Sequence, residues 1–145
     1  MPGDDGRMPT PTTVWMVALG RSPDEVKGTL SLDTEAVVFT PEVGGTPIRI
    51  VLAETRTVRR LRISPVLIVR QRGGDRTAFF FAQPPPLGQR DPDPEGVSLR
   101  SARRTGKRRQ QRRNSSYLAA NGHTLKPTLI AWASELAAAV AASRR

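Results

Sequence analysis

Between residues 14 and 82 the apolar positions come in short runs broken by Gly, Pro and Asp, which is the punctuation of strands. Val14 to Leu19 is a continuous apolar run, suited to a strand covered on both faces. Val26 to Leu32 alternates, with Val26, Gly28, Leu30 and Leu32 on one face and Lys27, Thr29 and Ser31 on the other. Asp33 and Thr34 make a short turn before Ala36 to Thr40, and Gly44, Gly45 and Pro47 interrupt the chain before Ile48 to Leu52. Val66 to Gln71 and Thr77 to Ala82 flank Arg72-Gly73-Gly74-Asp75-Arg76, a hairpin sequence with Gly available for positive φ. The stretch Ala53 to Arg62 is ambiguous, because Ala, Glu, Leu and Arg also favour helix. Val58 and Leu61 lie three apart, which alternation explains only with a bulge. Strands on both sides and the turn at Ser64-Pro65 favour a strand over 56–62.

The last segment has a different period. Leu125, Leu129, Trp132, Ala133, Leu136 and Val140 fall within roughly 100° of arc at the helical repeat, a single stripe facing a core. Pro127 suits the first turn of this helix, where its missing N–H costs little. Arg144 and Arg145 stand at the end where the helix dipole favours cations. The pattern predicts a small antiparallel sheet over 14–83, closed by one amphipathic helix over 124–145, with Trp132 as its plug.

Charge changes this picture between the two pieces. Lys and Arg number 23 against 13 Asp and Glu, for a net charge of +10. Residues 100–113 (RSARRTGKRRQQRR) hold eight cations and no anion, while 91–99 hold three anions and no cation. Such a run repels itself and offers almost nothing apolar to bury, so it is expected to be disordered when free. Gln83-Pro84-Pro85-Pro86 and Asp91-Pro92-Asp93-Pro94 are turn and extended-chain signals. Residues 84–123 therefore read as a Pro-rich and Arg-rich flexible insertion, and 1–13 as a disordered polar tail.

The strand spacing carries a family resemblance. Lys27-Gly28-Thr29-Leu30-Ser31-Leu32, Val37-Val38-Phe39-Thr40-Pro41 and Ile48-Arg49-Ile50-Val51-Leu52 resemble the pleckstrin-homology-like superfamily, in particular its bacterial and GRAM-type branch. The resemblance covers about residues 14–82 and 124–142. It implies a mainly β fold: a seven-stranded bent barrel or sandwich with one end closed by the C-terminal helix. It implies no catalysis, and the family hosts lipid-binding and protein-binding members alike. The chain departs from the pattern in its long Arg-rich segment. It also lacks the run of cations between the first two strands that phosphoinositide-specific members use, having only Arg21 and Lys27 there with Asp24 and Glu25 between them.

Catalysis finds no support in the residue inventory. There is no Cys, which excludes thiol chemistry, disulfides and cysteine zinc sites, and His123 is the one His. No nucleophile–base pair or cofactor loop is recognisable, so the chain reads as a non-enzyme with no cofactor and no metal. Asp91, Asp93 and Glu95 are interrupted by Pro at each step and lack the Gly of a calcium loop. They read better as charge compensation for the Arg run. Gly44-Gly45 and Gly73-Gly74 lack the following helix that a phosphate loop needs. His123 reads as a surface residue before the helix.

The basic residues carry the functional reading. Arg100, Arg103, Arg104, Lys107, Arg108, Arg109, Arg112 and Arg113 form the candidate polyanion-binding segment. The alternative for the same run is a solvated, solubilising loop. Arg56, Arg59, Arg60, Arg62 and Arg70 form a secondary basic group, together with Arg72 and Arg76, and several of these could share one outer face. Cross-strand pairing with Glu35, Glu54 and Asp75 is the competing account of that group. No Phe, Trp or Tyr lies within the Arg run, which argues against base stacking. The expected partner is an anionic phospholipid surface or an acidic protein. The alternative is a nucleic-acid- or ribosome-associated protein using the same run. Ser115 and Ser116 follow Arg112-Arg113-Asn114, a spacing that suits a basic-directed kinase.

The address is read from the same sequence. Asp4 and Asp5 stand where a signal peptide carries cations, and the apolar runs fall well short of the ~20 residues of a spanning helix. The expectation is a cytoplasmic protein, peripheral on the inner face of the plasma membrane, with Met8 as a second candidate start.

Overall fold

A computed structural model describes residues 9–22, 24–61, 65–84 and 108–144, the last of these by backbone alone as far as Thr124. Seven strands form one antiparallel sheet: β1 Thr12–Leu19, β2 Val26–Leu32, β3 Ala36–Pro41, β4 Ile48–Val51, β5 Thr55–Arg60, β6 Val66–Gln71 and β7 Arg76–Phe80. A single α-helix, α1, runs from Arg108 to Ser143. The strand order is β4-β3-β2-β1-β7-β6-β5, so two meanders meet where β1 pairs with β7. The two edge strands, β4 and β5, are consecutive in the chain and joined by a 3-10 turn at Leu52–Glu54. The sheet bends, and α1 packs on β5, this turn and β6.

Both faces of the central strands are buried, as the unbroken apolar run Val14 to Leu19 implies. Val14 and Met16 join one core cluster while Val17 and Leu19 join another on the opposite face. The first cluster includes Leu30, Phe39, Leu52, Leu67 and Phe79 and takes in Leu129, Trp132, Leu136 and Val140 of α1. Trp132 is 1 % exposed and Leu136 fully buried, so the helical stripe is the lid of this core. The indole Nε1 donates to Thr12 Oγ1 at 2.9 Å, and that hydroxyl donates in turn to the Thr10 carbonyl at 2.7 Å. The largest polar demand of the lid is met at the start of β1.

The ambiguous segment resolves as two elements. Leu52 to Glu54 turn as 3-10, and Thr55 to Arg60 form β5, with a register shift between Thr55 and Thr57. Val58 packs against the first cluster and Leu61 against the second. An odd separation puts them on opposite faces, so the bulge lies earlier than the Val58–Leu61 spacing suggested. On β2, Gly28, Leu30 and Leu32 are buried as expected, whereas Val26 is 40 % exposed near the strand's beginning.

Gly28 shows why one position in that stripe carries no side chain. A Cβ built there meets the Thr40 carbonyl oxygen and lies 2.6 Å from Phe39 Cζ. Phe39 is fully buried and its ring stands 6.3 Å from that of Phe79, so it has no room to retreat. Gly28→Ala is expected to lose about 2–3 kcal/mol by overpacking, read as a lowered urea midpoint. A midpoint equal to that of the parent would show that the β2–β3 ladder can spread to admit a methyl group.

The turns are fixed by their own polar groups. Asp33 accepts from the Glu35 and Ala36 N–H groups at 2.7 Å each, and from Arg49 at 3.0 Å. The two backbone N–H groups, followed by Arg49, hold its carboxyl below the usual carboxylate value. Gly74, at φ +97°, turns the β6–β7 hairpin, and Arg21 reaches across to Asp75 at 2.8 Å.

Candidate polyanion-binding surface

The basic run lies only partly inside the described residues. Arg100, Arg103, Arg104 and Lys107 fall outside them, as do Arg62 and the carboxylates Asp91, Asp93 and Glu95. Arg108, Arg109, Arg112 and Arg113 are in the first turns of α1. The helix thus begins at Arg108, well before the start near residue 124 that the apolar stripe indicated, and takes in 108–123 of the expected insertion. Arg, Gln, Leu and Ala are all strong helix formers, and together they outweigh the like-charge repulsion that argued for disorder. Pro127 is accordingly in the helix interior and not in the first turn. Its missing N–H forfeits the bond to the His123 carbonyl, a cost of about 3 kcal/mol that the buried stripe on its C-terminal side offsets. His123 belongs to this helix also.

Helical register orders these positions. At a regular 100° per residue, positions 108, 109, 112 and 113 span roughly 140° of arc. The stripe that packs on the sheet, Leu125 to Val140, is centred roughly 150° away. Continuing the basic arc toward the C-terminus gives Lys126, Ile130, Ser134, Ala137 and Ala141, all exposed, with Ile130 at 44 %. Glu135, the one acid of α1, lies outside this arc. One side of a helix roughly 54 Å long therefore carries five cations and no anion. Lys126 and Ile130 were not singled out from the sequence; extending the 3.6-residue repeat C-terminally from the basic run would have found them.

The C-terminal end of α1 is tied down. Arg144 donates to the Thr55 and Arg56 carbonyls at 2.8 and 2.7 Å. These belong to the edge strand β5, at its register shift, so the guanidinium ties the end of α1 to the sheet edge.

The secondary basic group is divided between two faces. Arg59 stands opposite Ile68, and Arg70 lies between Thr57 and Arg76, all on the face of the second core cluster. Arg60 stands opposite Leu67, on the face of the first. Arg56 sits at the register shift. Arg59, Arg70 and Arg76 are each engaged in an interaction. Asp75 pairs with Arg21 at 2.8 Å. Several of the group thus share one face, Arg59, Arg70 and Arg76, while Arg60 stands on the other, because neighbours along a strand alternate in direction.

Among the described residues no group of three His, Cys, Asp or Glu side chains is placed to hold a metal. Gly44-Gly45 leads into β4 and Gly73-Gly74 into β7, so neither cradles an anion against a helix N-terminus. Among the described residues no helix is long and apolar enough to cross a membrane. No protein-family model matches the chain, and no curated protein matches it.

Proposed function

We propose that this chain is a non-enzymatic cytoplasmic binding module of pleckstrin-homology-like fold, which docks on an anionic surface through residues 100–113 and the basic arc of α1. The surface that fits best is the inner leaflet of the plasma membrane. The strand order, two meanders joined through β1 and β7 with a helix packed on β5 and the turn that precedes it, supports the fold reading. The observation that carries the functional one is that the acid-free arc of α1 lies away from its core stripe, so docking need not disturb the lid.

Physical chemistry favours a flat anionic layer over a nucleic-acid strand. Each cation near such a layer contributes about 1 kcal/mol, and a helix presents cations of one arc on one side that a bilayer can meet at once. The arc carries Ile130 and several small residues, which an interfacial layer accommodates, while the Arg run has no aromatic residue to stack on bases. The test is a side-by-side binding assay of the full chain. It uses phosphatidylcholine vesicles with and without phosphatidylglycerol, a single-stranded RNA and a duplex DNA. Retention by the phosphatidylglycerol vesicles alone, weakening as salt rises, is the expected result. Tighter retention by RNA or DNA than by vesicles would transfer the same arginines to a nucleic-acid role.

A further inference from the structure

We propose that Ser116 is a phosphorylation site that switches off the basic arc of α1, an inference that rests on the anionic-surface reading above. Two observations meet at this position. In Arg112-Arg113-Asn114-Ser115-Ser116, arginines stand three and four residues before Ser116, a spacing by which a basic-directed Ser/Thr kinase can select a hydroxyl. The α-helix continues through this stretch. Its register puts position 116 inside the arc of positions 109, 112 and 113, three residues from 113, four from 112 and seven from 109. Position 115 is about 100° from 116 and falls at the margin of the arc.

The modification is a phosphoryl transfer from a nucleoside triphosphate. The Ser116 hydroxyl oxygen forms a bond to the γ-phosphorus, and the bond from that phosphorus to its bridging oxygen breaks. The electron pair leaves on the nucleoside diphosphate, and the hydroxyl proton passes to a base of the kinase. The product adds about −1.5 to −2 charges in the middle of the arc, one helical turn from two arginines. A phosphate there offsets roughly two of the cations that attract the protein to the surface, and it repels anionic headgroups directly.

The full chain is incubated with a basic-directed kinase and ATP, the phosphate is mapped by peptide mass, and binding to mixed phosphatidylcholine–phosphatidylglycerol vesicles is measured. The expected results are incorporation at Ser116, abolished in Ser116→Ala and kept in Ser115→Ala, and about tenfold or greater weakening of vesicle binding. Ser116→Asp, with about half the charge, is expected to bind several-fold more weakly than the parent at an unchanged melting midpoint. No incorporation, or phosphate on Ser115 alone, overturns the site. A phosphorylated protein that binds as tightly as the unmodified one overturns the switch and leaves the surface reading standing. Loss of binding matched by a fall in melting midpoint overturns it too, since the cause is then unfolding. An unmodified protein that ignores anionic vesicles overturns both.

Discussion

Replacing Arg103, Arg104, Arg108, Arg109, Arg112 and Arg113 with Gln is expected to weaken binding to anionic vesicles by roughly three to four orders of magnitude. Six cations at about 1 kcal/mol each, less what salt screening removes, set that scale. The variant tests charge and not folding. Gln has nearly the helix propensity of Arg, so the backbone of α1 is retained. The pairs 108/112 and 109/113 are like charges one turn apart, and their removal relieves a small repulsion. Among the described residues, every buried residue of the lid lies at or beyond Leu129. The melting midpoint should therefore stay within a few degrees of the parent, corresponding to well under ~1 kcal/mol. The salt dependence of binding should flatten in parallel, because fewer counterions are exchanged at the surface. Undiminished vesicle binding after neutralisation would reduce the run to a solubilising segment and turn attention to Arg60 and Lys126.

The strands were legible because each is bounded by a residue with a local reason to turn. Asp33 caps its turn through two backbone N–H groups, and Gly44, Gly45 and Gly74 adopt positive φ. Alternation then assigned most faces correctly, since one slip would invert a whole strand. The bulge at Thr55/Thr57 was misplaced because a register shift is a property of two paired strands, and one strand's pattern does not contain it. The helix start was misjudged for another reason. Local charge repulsion is conspicuous in a sequence, whereas the propensity of Arg, Gln and Ala accumulates quietly over many residues. The lid stripe was found because a buried indole and three aliphatic residues recur at the helical period. Its polar tie to Thr12, 120 residues away, has no sequence signal. The split of the β5 and β6 arginines follows from the pairing Arg59 with Ile68 and Arg60 with Leu67, which fixes the face only once the register is known.

Deleting residues 125–145 is expected to abolish the cooperative melt altogether. Leu129, Trp132, Leu136 and Val140 are each 5 % exposed or less, and at about 1.5–3 kcal/mol apiece their burial is of the same order as the whole stability of a small domain. The loss is compounded on the sheet side. Leu52, Leu67, Phe81 and their neighbours share a cluster with the helix and would face water once it is gone. The β5 edge also loses the Arg144 guanidinium from its Thr55 and Arg56 carbonyls, which invites strand pairing between molecules. Aggregated or molten material is the predicted product, recognised by retained far-ultraviolet dichroism with a lost near-ultraviolet signal. A graded pair of substitutions guards against misreading simple insolubility. Trp132→Phe keeps most of the volume and loses the bond to Thr12, at about 1 kcal/mol, whereas Trp132→Ala opens a cavity costing about 3–5 kcal/mol. The order parent, Phe, Ala, deletion in falling stability is the expected outcome. A truncated chain that melts cooperatively within a few degrees of the parent would show that the sheet holds its core without α1.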